Sequence, residues 1–250
     1  MLILVKLCYR IGMDYFEKIE LELAQKEPDD IFTDTPPKQN WVSRLSFIWL
    51  LGLWLISQNM ISVFKQPHDK TSLWKISLFL LIFIACVWLA YGWARKYQLI
   101  PAINWRYFQL GKIAAGFGMM FATAVISSIV MYFSGTNSTE NQELLKVIGK
   151  NLPPLVFFIM TTSAGFFEEL IFRVGPFELL FNKWPKIAAI VAWGLFTAVH
   201  VPTDIPSFIT YGLMSIVLTG LYAKYRNFYL NMSVHFLWNA FGMIGILMSM

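Results

Sequence analysis

The stretch Ala164-Gly165-Phe166-Phe167-Glu168-Glu169-Leu170-Ile171-Phe172-Arg173 places two adjacent carboxylates and a guanidinium inside an apolar run that begins near Pro153. A charged side chain at the centre of a lipid-spanning helix costs about 2.5–3.5 kcal/mol on insertion scales, so three in one helix require partners or a chemical task. Spacing supplies one pairing. Glu169 and Arg173 stand four apart on one helix face, which predicts a structural ion pair. Glu168 points about 100° away and has no local partner, which leaves it available for proton transfer or for holding a ligand.

The rest of the chain supports a lipid setting for that stretch. Of 250 residues, 57% are hydrophobic and only 14% charged, with a mean hydropathy of +0.55, a balance that excludes an ordinary soluble domain. Ten Trp and twenty-two Phe suit interfacial belts and lipid-facing surfaces. The net charge of +5 is uneven along the chain and reads as topology and affinity for anionic lipid, with no nucleic acid as partner. Cys8 and Cys86 are too few and too far apart for a disulfide framework and read as packing residues.

The fold class expected is all-α: a polytopic membrane helical bundle of about seven transmembrane helices plus an N-terminal amphipathic segment. Residues 1–44 form the polar cytoplasmic or interfacial segment, within which residues 1–26 carry helical spacing of Leu, Ile and Phe before Pro36-Pro37 breaks it. Residues 45–250 form the membrane domain, with 153–250 as the part that bears the motifs. Apolar stretches near the ~20 residues a spanning helix needs run roughly over residues 45–64, 76–94, 113–133, 153–172, 187–201, 205–222 and 228–250. Between them, fourteen Lys and Arg fall on one side against five on the other, which predicts a cytoplasmic N-terminus and an external C-terminus in a bacterial plasma membrane.

Two further polar clusters lie in the last hundred residues. Phe196 and His200 are four apart just before Pro202, and His235 and Asn239 are four apart on the final helix. The chain has three histidines in all, and two of them fall here. A carboxylate and an imidazole converging on one water can activate it, with Glu as general base and His holding or relaying the proton. A second His and an Asn can donate to the oxyanion of a tetrahedral intermediate. Glu168, His200 and His235 are equally the ligand set of a hydrolytic zinc site with an open position for water. Both routes end in hydrolysis of an amide bond.

Glu168-Glu169-x-x-x-Arg173, Phe196-x-x-x-His200 and His235-x-x-x-Asn239, in that order on separate membrane helices, resemble the CPBP family of intramembrane proteases. That family includes CAAX prenyl endopeptidases and the bacterial Abi proteins linked to bacteriocin processing and immunity. The resemblance covers roughly residues 153–250. It implies an intramembrane endopeptidase in which Glu168 activates water with His200 as its partner, His235 and Asn239 stabilise the oxyanion, and Glu169, Arg173 and Phe196 support them. It leaves open whether one divalent metal, zinc, takes part or a metal-free glutamate mechanism operates. The implied partners are a peptide or lipid-anchored protein substrate and the lipid bilayer.

Rival readings are weaker. No His-Glu dipeptide, no pair of membrane aspartates and no Gly-x-Ser-x-Gly elbow occurs, which excludes the other intramembrane protease signatures. A transporter could use the same buried Glu, Arg and His, but the sequence carries no inverted repeat. A non-catalytic scaffold acting in immunity or regulation is the third class, and the presence of every motif residue argues against it. Asp204 reads as the cap of the following helix, Lys224 and Arg226 as interfacial anchors, and His68 as a solvated loop residue.

Overall fold

The computed structural model describes residues 40–64 and 71–248; the expected amphipathic segment, Cys8 and His68 lie outside the described residues. All the elements described are helical. In order they are α1 (Trp41–Leu45), α2 (Phe47–Asn59) with a 3-10 turn Met60–Val63, α3 (Leu73–Lys96), a 3-10 turn Trp105–Tyr107, α4 (Leu110–Ser134), α5 (Glu140–Asn151), α6 (Pro154–Glu169), a π-helical segment Leu170–Leu180, α7 (Pro185–Val199), α8 (Ile205–Tyr225) and α9 (Phe228–Met248).

Six of these runs are long and apolar enough to cross a membrane, and α7 is a shorter apolar helix. Large apolar side chains such as Ile84, Trp88, Val125 and Ile129 stay exposed on α3 and α4, a pattern that suits a lipid solvent and no aqueous one. At about 1.5 Å per residue the fifteen residues of α7 rise about 22 Å, less than the ~30 Å of a hydrocarbon core. The contacts at its two ends nevertheless fix its direction. The π segment finishes where Glu178 meets Arg226 at the end of α8, whereas α8 begins where Tyr211 meets Thr139 at the start of α5. α7 therefore runs from one face of the bundle to the other. Bonds from Asn227 to the Tyr107 carbonyl and from Tyr229 to the Pro101 carbonyl bring the end of α3 to the first face, which thus carries Arg95, Lys96, Arg106, Lys183, Lys186, Lys224 and Arg226; the second carries α5.

Local chemistry explains the boundaries. α4 stops at Gly135, whose φ of +67° closes a left-handed cap that glycine adopts freely. α5 and α8 open with reciprocal capping boxes, Thr139 with Gln142 and Asp204 with Ser207, and Asp204 thus caps α8 as its position predicts. Pro154 and Pro185 open α6 and α7 at positions where a missing N–H costs nothing.

The fourth span differs from the expectation of an end at Phe172: it continues to Leu180, with Pro176 inside it. An α-helix would drive the Pro176 ring into the carbonyl four residues back. The wider π turn removes that clash, and the Phe181 N–H closes the run five residues back on the Pro176 carbonyl at 2.9 Å.

α9 lies between α6 and α4, α8 between α4 and α7, and α7 returns to the π segment. These helices close a ring around the motif residues, with α2 and α3 packed outside α6. The α6–α9 contact is close because of Gly165: a Cβ there would meet the Phe236 backbone N at 2.9 Å.

Candidate active site

The carboxylate of Glu169 is the hub. Its side chain is 0% exposed and forms an ion pair with the equally buried Arg173, Nη1 to Oε1 at 3.1 Å. The same Oε1 accepts from His235 Nδ1 at 2.7 Å, and Oε2 accepts from the Asn231 amide. Three donors from two elements, the π segment and α9, therefore converge on one side chain of α6. A buried carboxylate needs this treatment, because leaving it unpaired would cost several kcal/mol.

With Nδ1–H donating to a carboxylate, neutral His235 presents its Nε2 lone pair outward. That nitrogen lies 3.8 Å from Glu168 Oε2, too far for a hydrogen bond and close enough for one water about 2.8 Å from each to bridge them. Glu168 Oε2 is itself buried and has no hydrogen-bond partner among the described residues. The two adjacent carboxylates are thus sorted by environment, with Glu169 saturated and Glu168 free.

His200 follows the last residue of α7, and its Nδ1 meets the Phe196 carbonyl oxygen at 2.7 Å, so a neutral ring donates from Nδ1 and presents Nε2. Its imidazole is held between two rings, Phe196 and Tyr211, each with centroids 4.5 Å away. The Arg173 guanidinium lies over the Phe196 ring, 4.3 Å from its centroid, in cation–π geometry. The residues form a column of guanidinium, phenyl, imidazole and phenol, which accounts for Phe196 in the second motif. Phe196 also meets the His235 ring edge-on at 5.8 Å.

Val201, next in the chain, has φ of +46°. That is a costly conformation for a β-branched residue ahead of a proline, of order 1–3 kcal/mol, and it turns the chain at His200.

Asn239 anchors through Nδ2 to the Thr161 carbonyl of α6 at 3.1 Å, leaving its other N–H and its carbonyl oxygen for further bonds. His200 lies within electrostatic reach of Glu168 without forming an ion pair, so the imidazole set against Glu168 is that of His235. Among the described residues no three His, Cys, Asp or Glu side chains are gathered closely enough to hold a metal. Glu168 and His235 face each other at 3.8 Å, and with His200 they are not gathered as such a group.

Other polar side chains lie outside the motifs read from sequence. Asn231 is four residues before His235 on the same face, a spacing that could have found it. Tyr211 carries no such signal. Glu178, Tyr222 and Arg226 form a separate cluster on the basic face: Glu178 Oε1 accepts from Arg226 Nη1 at 2.8 Å and from the Tyr222 hydroxyl at 3.1 Å. Arg226 is therefore held in an ion pair instead of standing only as an interfacial anchor.

The model of the type II CAAX prenyl endopeptidase Rce1-like family matches residues 150–241, the stretch that supplies Glu168, Glu169, Arg173, Phe196, His200, Asn231, His235 and Asn239. A curated relative, UPF0177 protein YvdC of Lactococcus lactis subsp. lactis (strain IL1403), is 43% identical over 200 residues, covering 79% of this chain and 76% of the relative. The chain belongs to the CPBP family. As a CPBP protein with six long apolar spans it is an integral membrane protein. No solved structure matches it.

Proposed function

We propose that this CPBP protein is an intramembrane endopeptidase that hydrolyses a peptide bond in a peptide or membrane-associated protein with a metal-free, glutamate-activated water. The observation that carries the reading is the unpartnered Glu168 Oε2 facing His235 Nε2 at 3.8 Å, with His235 fixed from behind by Glu169. Glu168 takes a proton from the water bridging the two groups, and the resulting hydroxide adds to the scissile carbonyl carbon. The oxyanion faces the remaining N–H of Asn239. Collapse breaks the C–N bond, and Glu168 returns its proton to the leaving amine. The products are a carboxylic acid and an amine.

The basic face is cytoplasmic in this reading, following the Lys and Arg excess. The family description names a prenyl endopeptidase, so lipid-anchored and plain peptides are both candidate substrates.

The test uses purified protein in lipid nanodiscs with two quenched-fluorescent peptides, one ending in a farnesylated cysteine and one an unlipidated leader peptide. Cleavage of either by the wild type, lost in Glu168→Gln, is the expected result. Cleavage retained by Glu168→Gln overturns the assignment of the base. Solute flux in proteoliposomes with no cleavage of either peptide favours a transporter. Elemental analysis and chelator titration of an active preparation test the metal-free step, and loss of activity on chelation with recovery on adding Zn²⁺ overturns it.

A further inference from the structure

The α4–α5 connection touches the proposed active site through one side chain that no motif contains. Tyr211, in the second turn of α8, is buried at 5% exposure, and its ring stacks on the His200 imidazole at 4.5 Å between centroids with 23° between planes. Its hydroxyl shares a 2.6 Å hydrogen bond with Thr139 Oγ1. Thr139 is buried at 2% exposure and is the N-cap of α5, accepting from the Gln142 N–H. What Tyr211 presents to His200 is the face of its ring.

His200 needs such a face. The residue sits at a helix end and is followed by the left-handed turn at Val201, so the regular backbone that would hold its position ends with Val199. One bond, from Nδ1 to the Phe196 carbonyl, sets the ring's tautomer, but a single bond leaves rotation about it. Two flat neighbours remove that freedom, and only one of them, Phe196, belongs to the same helix.

We propose that Tyr211 is a positioning residue for His200, with its hydroxyl tethered to the Thr139 cap of α5 so that the α4–α5 connection fixes the plane of the imidazole. The role in turnover rests on the endopeptidase reading; the tether itself does not. Holding a reacting group in place is worth large factors, since misplacement by about 1 Å can cost about a hundredfold.

The experiment uses full-length protein labelled with ¹³C at histidine Cε1, in micelles. Three histidines give three signals, and that of His200 is assigned from His200→Gln. In Tyr211→Leu the His200 signal moves downfield as the ring current of the phenol is lost, while those of His68 and His235 hold. Thr139→Val moves it in the same direction by less, and Thr139→Ser, which keeps the hydroxyl, restores it. Because Tyr211→Leu could misfold, Tyr211→Phe is measured beside it: it keeps the stacked ring, loses the tether and gives the Thr139→Val shift.

In cleavage assays Tyr211→Leu lowers kcat by about ten- to a hundredfold with KM little changed. A His200 signal unmoved in Tyr211→Leu and Thr139→Val overturns the tether. A moved signal with wild-type kcat overturns the role in turnover. Failure of the wild type to cleave either peptide counts against the endopeptidase reading, and the resonance shifts still decide the tether.

Discussion

Glu169 and His235, sixty-six residues apart in the chain, share a hydrogen bond of 2.7 Å between Oε1 and Nδ1. Through it a carboxylate that the sequence pairs only with Arg173 also sets the tautomer and direction of an imidazole on another helix. The adjacent Glu168 makes no comparable bond, and the contrast separates stability from chemistry.

Glu169→Gln leaves Arg173 buried without its counter-charge, which costs about 3–5 kcal/mol. The expected outcome is a markedly lower unfolding midpoint in detergent together with lost cleavage. Glu168→Gln removes no protein hydrogen bond to Oε2, so its midpoint stays near that of the wild type while cleavage falls by about 10²–10⁴. Equal destabilisation by the two variants would contradict this division of labour.

Gly165→Ala tests the α6–α9 approach. The added Cβ would lie 2.9 Å from the Phe236 backbone N, and backbone cannot swing aside as a side chain can. The helices must separate, at about 1–3 kcal/mol, and Glu168 and Glu169 on α6 shift against His235 and Asn231 on α9. Reduced stability and reduced kcat are both expected; Gly118→Ala, which meets nothing within 4 Å, is the control.

Asp204 gives a pH signature outside the membrane-spanning segments. Its bonds from the Ser207 hydroxyl and N–H hold its carboxyl below the usual aspartate range. A carboxyl depressed in the folded state stabilises above its unfolded value, about 3.9, and loses that contribution as pH falls through the folded value. The unfolding midpoint of Asp204→Ala therefore lies below that of the wild type at neutral pH, and the gap closes in acid. Glu143, held low by Lys146 and Ser138, titrates nearby in both proteins and cancels in the comparison.

Arg226 combines an ion pair to Glu178 with a left-handed backbone at φ of +45°. Both Arg226→Ala and Arg226→Gly lose the pair, but glycine alone relieves the backbone. Arg226→Gly should be the more stable of the two by about 1 kcal/mol, read from denaturant or thermal unfolding.

Much of the bundle was legible because membrane spans announce themselves by length and composition, and because the i, i+4 rule is local. Glu169 with Arg173, and the Asp204 cap, follow from neighbours in sequence. Other features depend on partners that no spacing reveals. Tyr211 meets Thr139 across seventy-two residues, and Glu178 meets Arg226 across forty-eight. The pairing of Glu168 with His235 in place of His200 depends on the rotation of α9 against α6, which Gly165 permits. The π segment has no signal in the sequence: Pro176 breaks an α-helix, and only the wider turn lets the chain run through it. The fifteen-residue α7 reads as a short span, and its full passage from face to face is fixed by its neighbours.

The column from Arg173 through Phe196 and His200 to Tyr211 also bears on how this protein tolerates change. Four flat groups drawn from three elements touch one another in succession. Disturbing one end is felt at the other, and substitutions along it will combine non-additively. Two motifs that sequence presents as separate marks, and a tyrosine that belongs to neither, are, mechanically, one object.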